Sequence, residues 1–105
     1  MNLLIVDDEA SLRDILSIVF EEEGWRVETA GSVAEARVGL AKNEPDLVLC
    51  DLMLPDGSGI DLLREIKIAA PSVAVIMITA HTSTKTAVEA LKAGALDYIA
   101  KPFDI

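Results

Sequence analysis

Predicted strands alternate with predicted helices along the whole sequence, and this alternation limits the possible folds more than any other feature. The strands are expected at residues 3–6, 25–29, 47–50, 73–78 and 98–100. Three of them are continuous apolar runs, which is typical of parallel strands that are covered on both faces. The pattern therefore predicts an α/β domain with a parallel sheet and right-handed crossover connections.

Apolar residues at helical spacing, together with local stop signals, predict four helices between these strands. They are expected between residues 12 and 24, 32 and 45, 60 and 71, and 82 and 94. Ser32 and Glu35 form an S-x-x-E capping box at the start of the second helix, and Thr82, Ser83 or Thr84 is expected to cap the fourth. No helical pattern follows the last strand, so the fifth repeat lacks its helix.

Five such repeats predict a flavodoxin-like, doubly wound sheet of five parallel strands in the order 2-1-3-4-5. Functional residues in open parallel sheets lie at the carboxyl ends of the strands. The residues that follow the predicted strands are polar: Asp7, Asp8 and Glu9 after the first, Asp51 after the third, Thr79 after the fourth and Lys101 after the fifth. Four strand ends are therefore expected to meet in one cleft.

The carboxylates of Asp7, Asp8 and Asp51 are expected to lie close together, because the first and third strands are neighbours in this order. Such a cluster either holds protons at raised pKa values or binds a hard divalent cation, and Mg²⁺ suits a shallow site with few carboxylates. A structural threonine and a solvated lysine are the ordinary interpretations of Thr79 and Lys101. Their convergence on the same edge favours a functional role instead.

Composition excludes several classes of protein. A chain of 105 residues with 51% hydrophobic residues suits one compact domain. Neither a membrane-spanning run nor a signal peptide is expected, and the single Cys50 excludes an internal disulfide, which together predict a cytoplasmic protein. The net charge of −9 argues against nucleic-acid binding by this chain.

Four motifs, in order and each at the end of its own strand, carry a resemblance to a known family. The segments "IVDDEA", "DLVLCDLMLPDGSGIDLL", "VIMITAH" and "AGALDYIAKPF" resemble the receiver domain of two-component response regulators across all 105 residues. "TAHTS", "AVEALKAGALDYI" and the closing "KPFDI" are similar to the receivers of NtrC-type transcriptional regulators. The resemblance implies one receiver domain, residues 1–105.

The resemblance also implies roles for particular residues. It implies Asp51 as phosphoacceptor, Asp7, Asp8, Asp51 and the Met53 backbone carbonyl as Mg²⁺ ligands, and Thr79 and Lys101 as phosphoryl-binding residues. Tyr98 matches the aromatic switch that moves inward with the threonine, although an ordinary half-buried tyrosine is the alternative. His81 lies at a position that in this family helps to tune the phosphoryl lifetime, although a loop histidine without an essential role is the alternative, and a cis bond between Lys101 and Pro102 is expected. The apolar Met53 side chain near Asp51 should hinder an attacking water, and a passive lid is the alternative.

The function that the resemblance implies is a signalling switch. A sensor histidine kinase donates the phosphoryl group, and the receiver itself catalyses only the transfer and its own dephosphorylation. One alternative is a Mg²⁺-dependent phosphohydrolase with Asp51 as nucleophile, but Met53 stands where a second acid is needed. The other is a pseudo-receiver that is never phosphorylated, although all five site residues are present.

Two further residues receive structural interpretations. Cys50 is expected to be an inert core thiol and not a redox sensor. Glu9 is expected mainly to cap the first helix and to favour its positive end.

The chain ends where receivers usually continue into a fifth helix. We therefore expect a receiver shortened from a longer regulator, whose output part by resemblance holds an ATPase and a DNA-binding module. Part of one sheet face would then be bare, and a helix there covers on the order of 400 Å² of apolar surface, worth ~10 kcal/mol. The expected consequence is a homodimer or swapped self-association, or a chain of low stability.

Overall fold

A computed structural model describes residues 1–80 and 83–101 of the chain. The strands are β1 (Asn2–Val6), β2 (Arg26–Ala30), β3 (Leu47–Asp51), β4 (Met53–Leu54), β5 (Gly57–Ser58), β6 (Ala74–Thr79) and β7 (Asp97–Ala100). The helices are α1 (Ala10–Glu22), α2 (Val33–Lys42), α3 (Gly59–Ala69) and α4 (Thr84–Lys92). Within these residues, no helix has the length and apolarity needed to cross a membrane.

Five strands form one parallel sheet in the order β2-β1-β3-β6-β7. Because β6 and β7 are the fourth and fifth predicted strands, the predicted order 2-1-3-4-5 is confirmed. The register pairs Val6 with Cys50, Asp51 with Ile78, and Thr79 with Ala100. The carboxyl ends of the four strands β1, β3, β6 and β7 therefore lie side by side at one edge.

Helices pack on both faces of the sheet and enclose two apolar cores. The larger core joins α2, α3 and α4 to the strands, and Val48, Leu63 and Met77 are fully buried in it. The smaller core lies on the opposite face, where Ile5 of β1 packs with Leu16 of α1. This arrangement confirms the predicted doubly wound fold.

The face that carries the smaller core is only partly covered. Within residues 1–80 and 83–101, α1 is the only helix that contributes to that core. Ile99 pairs in register with the buried Ile78, so it lies on the same face, yet it is 37% exposed. Apolar surface therefore remains accessible beside β6 and β7.

Serine side chains cap three of the helices. The Ser32 hydroxyl accepts a hydrogen bond from the Glu35 N–H at 3.1 Å, which confirms the predicted N-cap of α2. Ser83 caps α4 by accepting from the Thr86 N–H, which decides among the three predicted residues. Ser58 caps α3 in the same way, accepting from the Ile60 N–H. Each serine satisfies a backbone donor that the first turn of a helix leaves without a partner.

The prediction for Glu9 is wrong in one respect. Glu9 occupies the N-cap position of α1, but its side chain makes no capping hydrogen bond. The Glu9 carboxylate instead lies 3.3 Å from the ammonium of Lys101. An opposite charge from a distant strand end competes successfully with the local backbone donors.

A short hairpin follows β3. β4 and β5 pair antiparallel, Met53 with Ser58 and Leu54 with Gly57. At Gly59, the next residue, a Cβ atom would overlap the backbone carbonyl oxygen of Asp51, so only glycine fits there. The hairpin was not predicted, because two-residue strands are too short to show a periodic pattern.

Candidate functional site

The cleft at the carboxyl edge of the sheet brings together side chains from four strand ends. Asp7 directly follows β1, Asp51 is the last residue of β3, Thr79 is the last residue of β6, and Lys101 directly follows β7. Asp7, Asp51 and Thr79 are the buried polar residues among those described. Buried polar groups need hydrogen-bond or ion-pair partners. At this edge, residues at the neighbouring strand ends supply many of those partners.

Three carboxylates form the acidic part of the site. Asp7, Asp8 and Asp51 each place one oxygen within 4.8 Å of the others. Asp7 and Asp51 are almost fully buried, whereas Asp8 faces the solvent. Oxygen ligands of this kind, buried on one side and open to water on the other, fit Mg²⁺, which takes a few carboxylates and keeps several waters.

Lys101 provides the positive charge of the site. Its ammonium group lies 2.6 Å from Asp7 Oδ2 and 3.0 Å from Asp51 Oδ2, and its side chain is only 10% exposed. Burial lowers the pKa of Lys101, but hydrogen bonds to Asp7 and Asp51 raise it more, so the pKa lies above its usual value. The lysine is therefore charged at neutral pH and offsets part of the charge of the cluster.

The Asp7 segment is held by backbone and side-chain contacts. The Asp7 N–H donates to the carbonyl of Ala30 at 3.0 Å, and Asp7 Oδ1 accepts from the Glu9 N–H at 2.9 Å. The Asp7 carbonyl accepts from the guanidinium of Arg13 at 2.6 Å. Sequence reasoning missed Arg13. The available signal was its position one helical turn after Glu9, which places it near the site.

Asp51 is oriented by its own loop. One carboxylate oxygen accepts a long hydrogen bond from the Met53 N–H at 3.4 Å, and the other faces Lys101. The Met53 side chain is 56% exposed. The loop therefore places one exposed apolar side chain, and no carboxylate, two residues after Asp51.

Thr79 and Tyr98 lie on the same face of the sheet. Met77 pairs with Tyr98 in register, and side chains two residues apart on a strand point the same way, so Thr79 shares that face. Thr79 is fully buried, and its carbonyl accepts from the Lys101 N–H at 2.8 Å. The half-buried Tyr98 hydroxyl lies 3.2 Å from the Thr86 hydroxyl on α4. Tyr98 thus links the strand that leads to Lys101 with α4.

Cys50 lies one residue before Asp51 and is buried in the larger core. Burial, with a smaller effect of the Asp51 and Asp7 charges, raises the pKa of its thiol to about 12. A thiol in this state is neutral at physiological pH and a poor nucleophile. This agrees with the interpretation of Cys50 as an inert core residue.

Two predictions fall outside the described residues. His81 lies in the gap between residues 80 and 83, and the Lys101–Pro102 bond involves a residue beyond 101. The tuning role of His81 and the cis bond both stay predictions.

Comparison with known proteins shows the family to which this fold and sequence correspond. The family model described as the response regulator receiver domain matches residues 3–105. The chain is 47% identical to the response regulator protein PilR of Pseudomonas aeruginosa over 97% of its own length, and 42% identical to the transcriptional regulatory protein ZraR of Escherichia coli over 99%. It spans only 23% and 24% of those two relatives. The solved structure of the beryllofluoride-activated NtrC4 receiver domain dimer matches with a TM-score of 0.92 and 39% identity, covering 98% of this chain and 85% of that one.

Proposed function

The chain belongs to the response regulator receiver family, and from that premise we propose that it is a switch that accepts a phosphoryl group on Asp51. The observation that carries the proposal is the placement of Asp51. Its buried carboxylate lies 3.0 Å from the Lys101 ammonium and within 4.8 Å of the Asp7 and Asp8 oxygens. A carboxylate nucleophile flanked by a fixed cation and a metal-type acidic pair suits phosphoryl transfer, which depends mainly on positioning and charge neutralisation.

In the proposed transfer, one Asp51 oxygen bonds to phosphorus as the bond to the donor's imidazole nitrogen breaks, and the imidazole keeps that electron pair. Lys101 holds a positive charge beside the arriving phosphoryl oxygens. Thr79, at the end of the neighbouring strand, offers a hydroxyl to the phosphoryl group. Mg²⁺, when bound by Asp7, Asp8, Asp51 and the Met53 carbonyl, supplies further positive charge at the same place.

The proposed donor is a phosphohistidine on a sensor kinase, and the proposed output is transcription. PilR and ZraR are named as regulators, and this chain covers less than a quarter of each. We propose that the receiver controls output domains in a longer protein and is not a classical enzyme.

Self-association is part of the proposal. The related NtrC4 receiver is a dimer in its beryllofluoride-activated form. In this chain the partly covered face beside β6 and β7 offers apolar surface that a second copy could bury. Sedimentation of the 105-residue chain over a range of concentrations tests this, and a strict monomer at high concentration would contradict it.

The hydrolase alternative has less support from the site. A phosphohydrolase of this type needs a second acid near the nucleophile, but the residue two positions after Asp51 is the exposed Met53. The pseudo-receiver alternative requires a decayed site, whereas Asp7, Asp51 and Lys101 lie in direct contact or close proximity. Turnover of p-nitrophenyl phosphate would support the hydrolase.

The decisive experiment is incubation with acetyl phosphate and MgCl₂, followed by intact-mass spectrometry. The wild-type chain should gain one phosphoryl group, and Asp51→Asn should gain none. Asp61→Asn is the matched control, because Asp61 is an exposed aspartate on α3 outside the cluster, and it should label like the wild type. Equal labelling of Asp51→Asn at another residue would overturn the assignment.

A further inference from the structure

The segment between the phosphoacceptor and α3 cannot hold its shape by itself. Its hairpin contains only two paired residues per strand, and isolated hairpins of even greater length are marginal in water. The side chains of Leu52 and Leu54 are buried in the larger core and hold one side of the segment in place. The exposed turn at Pro55 and Asp56 needs a separate anchor, because neither residue is buried.

Asp56 provides that anchor through the start of α2. Asp56 Oδ1 accepts from the Val33 N–H at 2.7 Å, and Oδ2 accepts from the Ala34 N–H at 3.0 Å. These N–H groups belong to the first turn of the helix, where backbone donors have no helical partner and the helix dipole favours a negative charge. The same two hydrogen bonds lower the pKa of Asp56, so its charged form is favoured.

The anchor point is shared with the other side of the acidic cluster. Residues 30–34 receive the Asp56 carboxylate at their helical end, and at their other end the Ala30 carbonyl accepts from the Asp7 N–H at 3.0 Å. Gly57 also packs closely there, since a Cβ at this position would lie 3.3 Å from Val33. One short segment therefore fixes both the Asp7 loop and the Met53 hairpin.

We propose that Asp56 is a positioning residue that holds the Met53 hairpin in register with the acidic cluster, so that the Met53 backbone carbonyl and the three carboxylates face the same Mg²⁺. This inference rests on the proposed function, because it concerns the same metal site. Asp56 does not touch the metal or the phosphoryl group. It acts through the hairpin and through residues 30–34.

The test compares Mg²⁺ affinity in two variants that each weaken the start of α2. Asp56→Ala removes both hydrogen bonds that join the hairpin turn to the start of α2. Ser32→Ala removes a capping bond from the same helix but leaves the hairpin contact intact. Isothermal titration with MgCl₂ should show affinity weakened about tenfold in Asp56→Ala, the lower end of the loss typical for an outer-shell partner. Ser32→Ala should bind Mg²⁺ like the wild type, although it should melt at a lower temperature.

Amide hydrogen exchange gives a second readout that does not depend on the metal. Exchange of the Met53 amide, which donates to Asp51 Oδ1, and of the Gly59 amide, which donates to the Leu52 carbonyl at 2.7 Å, should be faster in Asp56→Ala than in Ser32→Ala. If Asp56→Ala fails to fold, Asp56→Asn replaces it. That variant keeps one carbonyl oxygen as an acceptor and should show a smaller loss of Mg²⁺ affinity in the same direction.

The outcomes separate the two ideas. Wild-type affinity in both Asp56 variants, or equal losses in Asp56→Ala and Ser32→Ala, would overturn the positioning role while leaving the proposed function intact. Absence of Mg²⁺ binding by the wild-type chain would instead overturn the metal site of the proposed function.

Discussion

Replacement of Lys101 by methionine should destabilise the fold through the acidic cluster. Methionine keeps a long unbranched side chain but removes the ammonium that lies 2.6 Å from Asp7 and 3.0 Å from Asp51. Both carboxylates are almost fully buried, so neither gains full hydration when the lysine charge is lost. The variant therefore leaves mutually repelling charges without their shared partner.

The magnitude follows from the burial of the three groups. Removing one partner of a buried ion pair typically costs ~3–5 kcal/mol of unfolding free energy. We expect the lower end, about 3 kcal/mol, because Asp8 and Glu9 are exposed and water reaches one side of the cluster. The matched control is Lys85→Met, an exposed lysine on α4, which should change stability by no more than about 0.5 kcal/mol.

Urea unfolding followed by circular dichroism measures these differences. Asp51→Asn should itself relieve the repulsion between the carboxylates. The double variant with Lys101→Met should be about 1–2 kcal/mol more stable than the sum of the two single changes predicts, because the two residues are in contact. MgCl₂ should stabilise Lys101→Met more than the wild type if the metal binds the same carboxylates. Unchanged stability of Lys101→Met, or strict additivity with Asp51→Asn, would refute the reasoning.

Three further predictions concern the hairpin and the switch. Gly59→Ala should cost about 3 kcal/mol or more, because its Cβ overlaps the Asp51 carbonyl, whereas Gly57→Ala should cost less than about 1 kcal/mol; comparable urea midpoints would contradict this. The pKa of Asp56 is lower in the folded state than in the unfolded state, so its ionised carboxylate stabilises the fold. This stabilisation is complete above the unfolded pKa of about 4, and it is lost as pH falls through the lower folded pKa. The stability difference between wild type and Asp56→Asn should therefore shrink on acidification, and a constant difference would exclude the charge effect. Thr79→Ala should accept a phosphoryl group, but beryllofluoride with Mg²⁺ should no longer shift the NMR signals around Tyr98; wild-type shifts would exclude coupling through Thr79.

Much of the fold could be predicted from local pattern alone. Continuous apolar runs such as residues 3–6 and 47–50 form the central strands β1 and β3. When a strand is covered on both faces, the side chains on each face are buried, so nearly every position is apolar. The polar residues after these runs then had to lie at one edge, since parallel strands end on the same side. The sequence alone could therefore identify the candidate site residues, which are Asp7, Asp51, Thr79 and Lys101.

Local pattern did not determine how those residues contact one another. Glu9 had the sequence context of a helix cap, yet its carboxylate faces Lys101, which is ninety-two residues away. Ser83 was one of three possible caps for α4, and its hydroxyl is the one that accepts from the Thr86 N–H. Such choices depend on competition between near and distant partners, and spacing along the chain carries no information about the distant ones.

The order of the elements and the edge of the sheet that carries the polar residues follow from the amino-acid sequence, because side-chain periodicity and chain direction are properties of neighbouring residues. The contacts that support that edge depend on tertiary packing. The anchoring of the Met53 hairpin on α2 by Asp56 joins residues 23 positions apart, and the contact of Lys101 with Asp7 joins residues 94 positions apart. Both contacts depend on the sheet, which places these loops side by side.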